Sequence, residues 1–128
     1  MTASAGSFSI AAPVGKSELE GIAERLREFA RERDWEQFHT PKNLAASIAI
    51  EAGELQEVFQ WLSDEQAPNL TAGQIARASD EVADVAIYLI RLADVLEVDL
   101  GQAIAAKIAS NTVRYPADVV RGTSIKRP

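Results

Sequence analysis

Residues 49–55, AIEAGEL, and residues 80–89, DEVADVAIYL, each place a pair of carboxylates inside apolar sequence. Glu51 and Glu54 form one pair, Glu81 and Asp84 the other, both spaced i, i+3. Residues three apart on a helix share a face, with Cα atoms about 5 Å apart. Both runs otherwise read as buried helix, so the fold decided here is all-α. Acids projecting from an apolar face cost free energy unless something positive meets them. A hard divalent cation is the simplest partner for four converging carboxylates.

Working outward, Thr40 as N-cap and Pro41 at the first helical position start the helix that carries Glu51, which ends near Leu62. SDEQAPNL, residues 63–70, is a polar loop, and Thr71 caps the next helix, unbroken from Ala72 to about Leu96. Two consecutive helices joined by a short loop are antiparallel neighbours. From Glu54 to the end of its helix is about eight residues, and from the next helix start to Glu81 about nine, at about 1.5 Å each. The arms match, so the two acid pairs meet at one level of the hairpin.

Upstream, Ser17 and Glu20 form a capping box opening a helix to about Asp34, with Leu19, Ile22, Ala23, Leu26, Phe29 and Ala30 as its stripe. DWEQFHT, residues 34–40, breaks that period. Downstream, Asp99 and Gln102 form a second capping box, and a fourth helix stops before Pro116. Residues 1–16 read as a flexible arm, 17–116 as the helical domain and 117–128 as a mobile tail without helical period. The architecture is a four-helix bundle. The third helix is apolar over a wide arc (Val82, Val85, Ala86, Ile87, Leu89, Ile90, Leu92, Ala93), which calls for several neighbours and hence an oligomer.

Composition narrows the function. At 128 residues, 47% hydrophobic, the chain is one globular domain with a modest core. A net charge of -6 speaks against nucleic-acid polymers and anionic membranes. It leaves room for a nucleotide where bound cations reverse the local sign. No cysteine is present, so disulfides and thiolate metal sites are excluded. No apolar run reaches membrane-spanning length and no secretion signal is legible, so the expected location is cytoplasmic.

Four oxygen ligands without sulfur suit Mg²⁺, with Mn²⁺ also acceptable, rather than zinc. Magnesium shares its coordination with substrate phosphates, which points to phosphate chemistry, a carboxylate or a water it orients serving as general base. The competing reading pairs the acids with Arg77, Arg91 or Lys107. Tyr88 lies one turn beyond Asp84 and Trp61 two turns beyond Glu54, with Trp35 in the irregular segment. Each suits stacking on a nucleobase and equally suits core packing. Lys107, Asn111 and Arg114 share one face of the fourth helix, fit either to grip phosphates or to lie solvated. His39, the only histidine, sits beside an N-cap and reads first as a local hydrogen-bonding residue.

HTPKNLAASIAIEAGELQEVFQW (39–61) together with DEVADVAIYLIRLADVLEVDLGQAIAAKIASNTVRYP (80–116) resembles the MazG-like all-α nucleotide pyrophosphohydrolases, nearest their dCTP pyrophosphatase branch. The likeness spans residues 17–116. It implies Mg²⁺-dependent cleavage of a nucleoside triphosphate between the α and β phosphates, releasing the monophosphate and pyrophosphate. By the same resemblance Glu51, Glu54, Glu81 and Asp84 match the metal-binding, catalytic acids. Trp35, Trp61 and Tyr88 match aromatic positions around base and sugar, and His39 matches the family's HxP[RK]N stretch. Lys107, Asn111, Arg114 and Tyr115 match the motif that meets the phosphates. A homotetramer, a dimer of dimers with pockets completed by a neighbour, is also implied.

Three other readings compete. One is a phosphoribosyl-ATP or other NTP pyrophosphohydrolase of the same superfamily, and another a non-catalytic interaction bundle. The third, a di-iron carboxylate oxidase, needs Glu-x-x-His on two helices, and neither acid pair supplies a histidine.

Overall fold

The computed structural model describes residues 17–128, so the arm expected over 1–16 lies outside the described residues. Four long helices appear where the caps and periodicity put them. These are α1 (Glu18–Glu32), α2 (Pro41–Phe59), α3 (Ala72–Val95) and α4 (Leu100–Arg114), followed by a single turn, α5 (Ala117–Val120). No strand occurs among the described residues. None of their helices is long and apolar enough to cross a membrane.

The start signals act as read. Ser17 and Glu20 exchange backbone-to-side-chain bonds of 2.9 and 3.1 Å, and Thr71 and Gln74 do the same at 2.8 and 3.1 Å. Thr40 accepts from the Asn43 N–H. Asp99 accepts from the Gln102 N–H, but the reciprocal half of that expected box is not formed.

The stops differ from expectation for a local reason. α1 ends two residues before Asp34 because Asp34 is left-handed, φ 54°. The Trp35 N–H then reaches back to the Ala30 carbonyl and the Asp34 N–H to that of Arg31, a Schellman closure without glycine. Glu97, φ 58°, ends α3 identically, with Val98 N–H on Ala93 and Glu97 N–H on Asp94. These closures set two corners. The first drops Trp35 and a 3-10 turn (Glu36–Phe38) across the mouth of the α2–α3 hairpin. Asn43 locks that turn by donating to the Phe38 carbonyl at 3.0 Å.

α2 packs along α3, and α1 covers α3. His39 meets Arg91 while Glu51 meets Glu81 and Asp84, so α2 and α3 are antiparallel, as the arm lengths require. The core within one chain is small: Ala30, Leu44, Val58, Ile90 and Ala93. The fourth helix is where the structure adds most. α4 buries none of its residues and leaves Ile104, Ile108 and Val113 exposed, so it does not close the bundle on its own chain. Val82, Ile87 and Leu89 of α3 also face outward. In the tail, α5 supplies a turn where no helical period was read, and the Arg127 N–H returns to the Tyr115 hydroxyl at 3.2 Å.

Candidate active site

Antiparallel packing of α2 on α3 puts the two acid pairs at one height. One carboxylate oxygen from each of Glu51, Glu81 and Asp84 lies within 4.8 Å of the other two. Glu54 stands beside Glu51 at the edge of this trio and bears electrostatically on both Glu51 and Glu81. Among the described residues no lysine or arginine forms an ion pair with any of the four. Arg77 comes only near enough to Glu81 to ease its ionisation slightly. The alternative in which basic residues neutralise the acids therefore has no geometry behind it.

Two oxygens carry the chemical message. Glu51 Oε2 and Glu81 Oε2 are buried and accept no hydrogen bond. Burial is the main reason the Glu51 carboxyl is pushed above its ordinary range, followed by the adjacent Glu54 carboxyl and the charges of Asp84 and Glu81. Glu81 is raised first by burial, then by the charges of Glu54 and Asp84. Carboxylates held together without donors are poised for a cation. The oxygen-only set fits a hard divalent ion.

One helical turn away the same two helices build an aromatic recess. Ser47 lies one turn before Glu51 and Tyr88 one turn after Asp84. Both line a cavity of about 340 Å³ with Trp35, Phe38, His39, Asn43 and Leu44. An adjoining space of about 330 Å³ shares Trp35, His39 and Tyr88 and continues to Leu26, Phe29 and Arg91. Trp35 meets Phe29 edge-on at 5.9 Å and His39 at 6.5 Å between ring centroids. The structure thus joins Trp35, His39 and Tyr88 into one strip with the four acids.

It does not bring the other expected residues there. Trp61 follows the far end of α2, 86% exposed, on the opposite side of the acids from Trp35. Lys107, Asn111 and Arg114 line neither cavity. Asn111 Oδ1 and Arg114 Nε are nevertheless buried without a hydrogen-bond partner. The Tyr115 hydroxyl, bonded by the Arg127 backbone and near Arg114, titrates below its usual range.

Sequence reasoning missed a polar relay beside the recess. Arg91, only 6% exposed, donates its Nε–H to His39 Nδ1 at 3.0 Å and an NH1 proton to Asp94 Oδ2 at 3.1 Å. Arg27 of α1 grips Asp94 with two bonds, 2.6 and 3.0 Å. Those arginine bonds, Arg27's first, hold the Asp94 carboxyl below the usual carboxylate range. A signal was available in Arg91 and Asp94, two opposite charges three apart in the most apolar part of α3.

Known proteins resemble this chain in sequence and in fold. The MazG-like family model matches residues 46–126. The chain is 44% identical to dCTP pyrophosphatase 1 of Rattus norvegicus over 98% of this chain and 73% of that protein. To dCTP pyrophosphatase 1 of Homo sapiens it is 43% identical, with the same coverage of each chain. The crystal structure of a pyrophosphatase from Archaeoglobus fulgidus superposes with a TM-score of 0.75 at 39% identity, covering 81% of this chain and 97% of that one.

Proposed function

This chain belongs to the MazG-like family, and we propose that it hydrolyses dCTP, or a related modified dNTP, to the monophosphate and pyrophosphate, clearing it from the nucleotide pool. The observation that carries the reading is the convergence of Glu51, Glu81 and Asp84 oxygens within 4.8 Å, one turn from an aromatic recess. An acid cluster alone fits many roles. Its position beside a base-sized cavity fits a nucleotide whose phosphates lie at the acids.

The unpartnered Glu51 Oε2 and Glu81 Oε2 fit a bound Mg²⁺ (or Mn²⁺), which Glu51, Glu54, Glu81 and Asp84 would hold. Such an ion, when bound, neutralises phosphate charge and favours ionisation of a water. The residues do the remainder. Trp35 and Tyr88 offer faces to a base, and Ser47 stands between the base recess and the acids. The proton of the attacking water goes to a carboxylate of the cluster.

Phosphate grip is assigned to the Lys107, Asn111, Arg114 and Tyr115 face of α4. Since no residue of α4 is fully buried on its own chain, we place this helix over the site of a neighbouring copy in a homotetramer. Trp61, exposed at the hairpin tip, is assigned to a neighbour's pocket for the same reason.

The test is turnover of a panel of canonical and modified dNTPs with and without Mg²⁺. The expected result is Mg²⁺-dependent hydrolysis with dCTP or a modified cytosine nucleotide preferred. Asp84→Asn should lower kcat by about 100-fold or more, beyond the usual cost of an outer-shell change, with the helical signature intact. Near-normal turnover by Asp84→Asn would remove the acids from the site, and no turnover of any dNTP by the unaltered protein would leave an interaction bundle.

A further inference from the structure

His39 is the one titratable side chain in the aromatic recess whose proton can be located by its partner. Arg91 Nε points at His39 Nδ1, 3.0 Å away. A guanidinium N–H only donates, since arginine does not give up its proton in proteins. Nδ1 must therefore be the acceptor, and the neutral ring carries its proton on Nε2. Nothing else fits a 3.0 Å contact, because a protonated Nδ1 would face a second donor. Burial, and then the Arg91 charge, push the imidazole below its usual range, which keeps the ring neutral.

Arg91 itself is fixed from two sides. It is 6% exposed, with NH1 on Asp94 Oδ2, and Asp94 is clamped in turn by both Arg27 bonds. The relay spans α1, α3 and the turn before α2. Among the described residues Nε2 has no protein partner, and His39 lines both parts of the recess beside Trp35 and Tyr88. A structural arginine needs Asp94 but has no need of a histidine with one free N–H edge.

We propose that Arg27, Asp94 and Arg91 are positioning residues that lock His39 as the Nε2–H tautomer, and that this N–H donates to an acceptor on the base edge of the bound nucleotide. The ligand class is a pyrimidine with an acceptor at N3, and N3 is the atom that receives the bond. Cytosine N3 is unprotonated and accepts, whereas uracil and thymine carry an N3–H donor there that would oppose the His39 donor; O2 accepts on all three and would not discriminate. The relay thus supplies selection for cytosine over thymine. This rests on the reading that the recess takes the base.

The experiment uses the chain's single histidine. In tag-free protein labelled with ¹⁵N-histidine, one imidazole is observed. The expected spectrum near neutral pH has Nδ1 as the unprotonated, pyridine-type nitrogen and Nε2 as the protonated one. Arg91→Gln should shift both resonances toward tautomer averaging. A protonated Nδ1 in the unaltered protein overturns the proposal. In kinetics, His39→Phe removes the donor and should raise KM for dCTP about 3- to 10-fold, the worth of one hydrogen bond. It should do so with a smaller effect on kcat, and should narrow the preference for dCTP over dTTP. His39→Gln, whose amide can replace the Nε2–H, should recover part of both. Unchanged KM and preference in His39→Phe overturn the donor role even with turnover intact. Absence of any dNTP turnover by the unaltered protein defeats the function reading instead, and with it the ligand assigned to His39.

Discussion

Glu51 and Glu81 illustrate how a site is held at the expense of the fold around it. Their folded pKa values lie above the ordinary 4.5. Below pH 4.5 the preference for the neutral form is fully present, and it is lost as pH rises through the folded values. Cation-free protein at neutral pH therefore keeps both in a setting that resists their ionisation. Glu51→Gln, permanently neutral, should melt higher than the unaltered protein in EDTA at pH 7, and the gap should shrink toward pH 4.5. The same variant should lose most of the melting-temperature rise that Mg²⁺ gives the unaltered protein. Thermal melts across pH check both, and an equal or lower melting temperature for Glu51→Gln would contradict the electrostatic account. These acids were legible because i, i+3 charge inside apolar sequence is conspicuous. The link between His39 and Arg91 was not, since 52 residues separate them and only the packed hairpin brings them together.

At the level of elements, starts were easier to read than stops. Ser17, Thr40 and Thr71 announce helices through side-chain oxygens that any sequence displays. The ends of α1 and α3 rest on left-handed Asp34 and Glu97, and neither is the glycine that would have signalled the turn. A left-handed non-glycine residue costs about 1–2 kcal/mol, partly offset by the extra unfolded-state freedom of glycine. Glu97→Gly should accordingly stabilise the protein by about 0.5–1 kcal/mol in urea denaturation. Asp34→Gly should gain less, because the Asp34 carboxylate also accepts from Gln37 at 3.1 Å. A loss of stability in Glu97→Gly would show that this corner is held by contacts of the glutamate side chain.

For the whole molecule, the hydrophobic pattern of α3 foretold a need for neighbours without saying which helix would be left bare. The exposed Ile104, Ile108 and Val113 of α4 answer that. Because a chain with so few buried apolar side chains leaves much apolar surface unburied, an oligomer is expected, and the family resemblance implies a tetramer, checked by light scattering on the purified protein. A monomer that still turns over dCTP would remove α4 and Trp61 from the site. Trp61→Ala should change monomer stability by less than about 0.5 kcal/mol, as for an unpacked surface residue. Its effect should appear as a higher KM and a relaxed base preference. An unchanged KM would return Trp61 to plain surface. Beneath all of these lies the claim that four carboxylates serve cleavage between the α and β phosphates. Incubating the protein with dCTP and Mg²⁺ and identifying the products tests it directly. The account predicts dCMP and pyrophosphate in equal amounts, and dCDP with orthophosphate would contradict it.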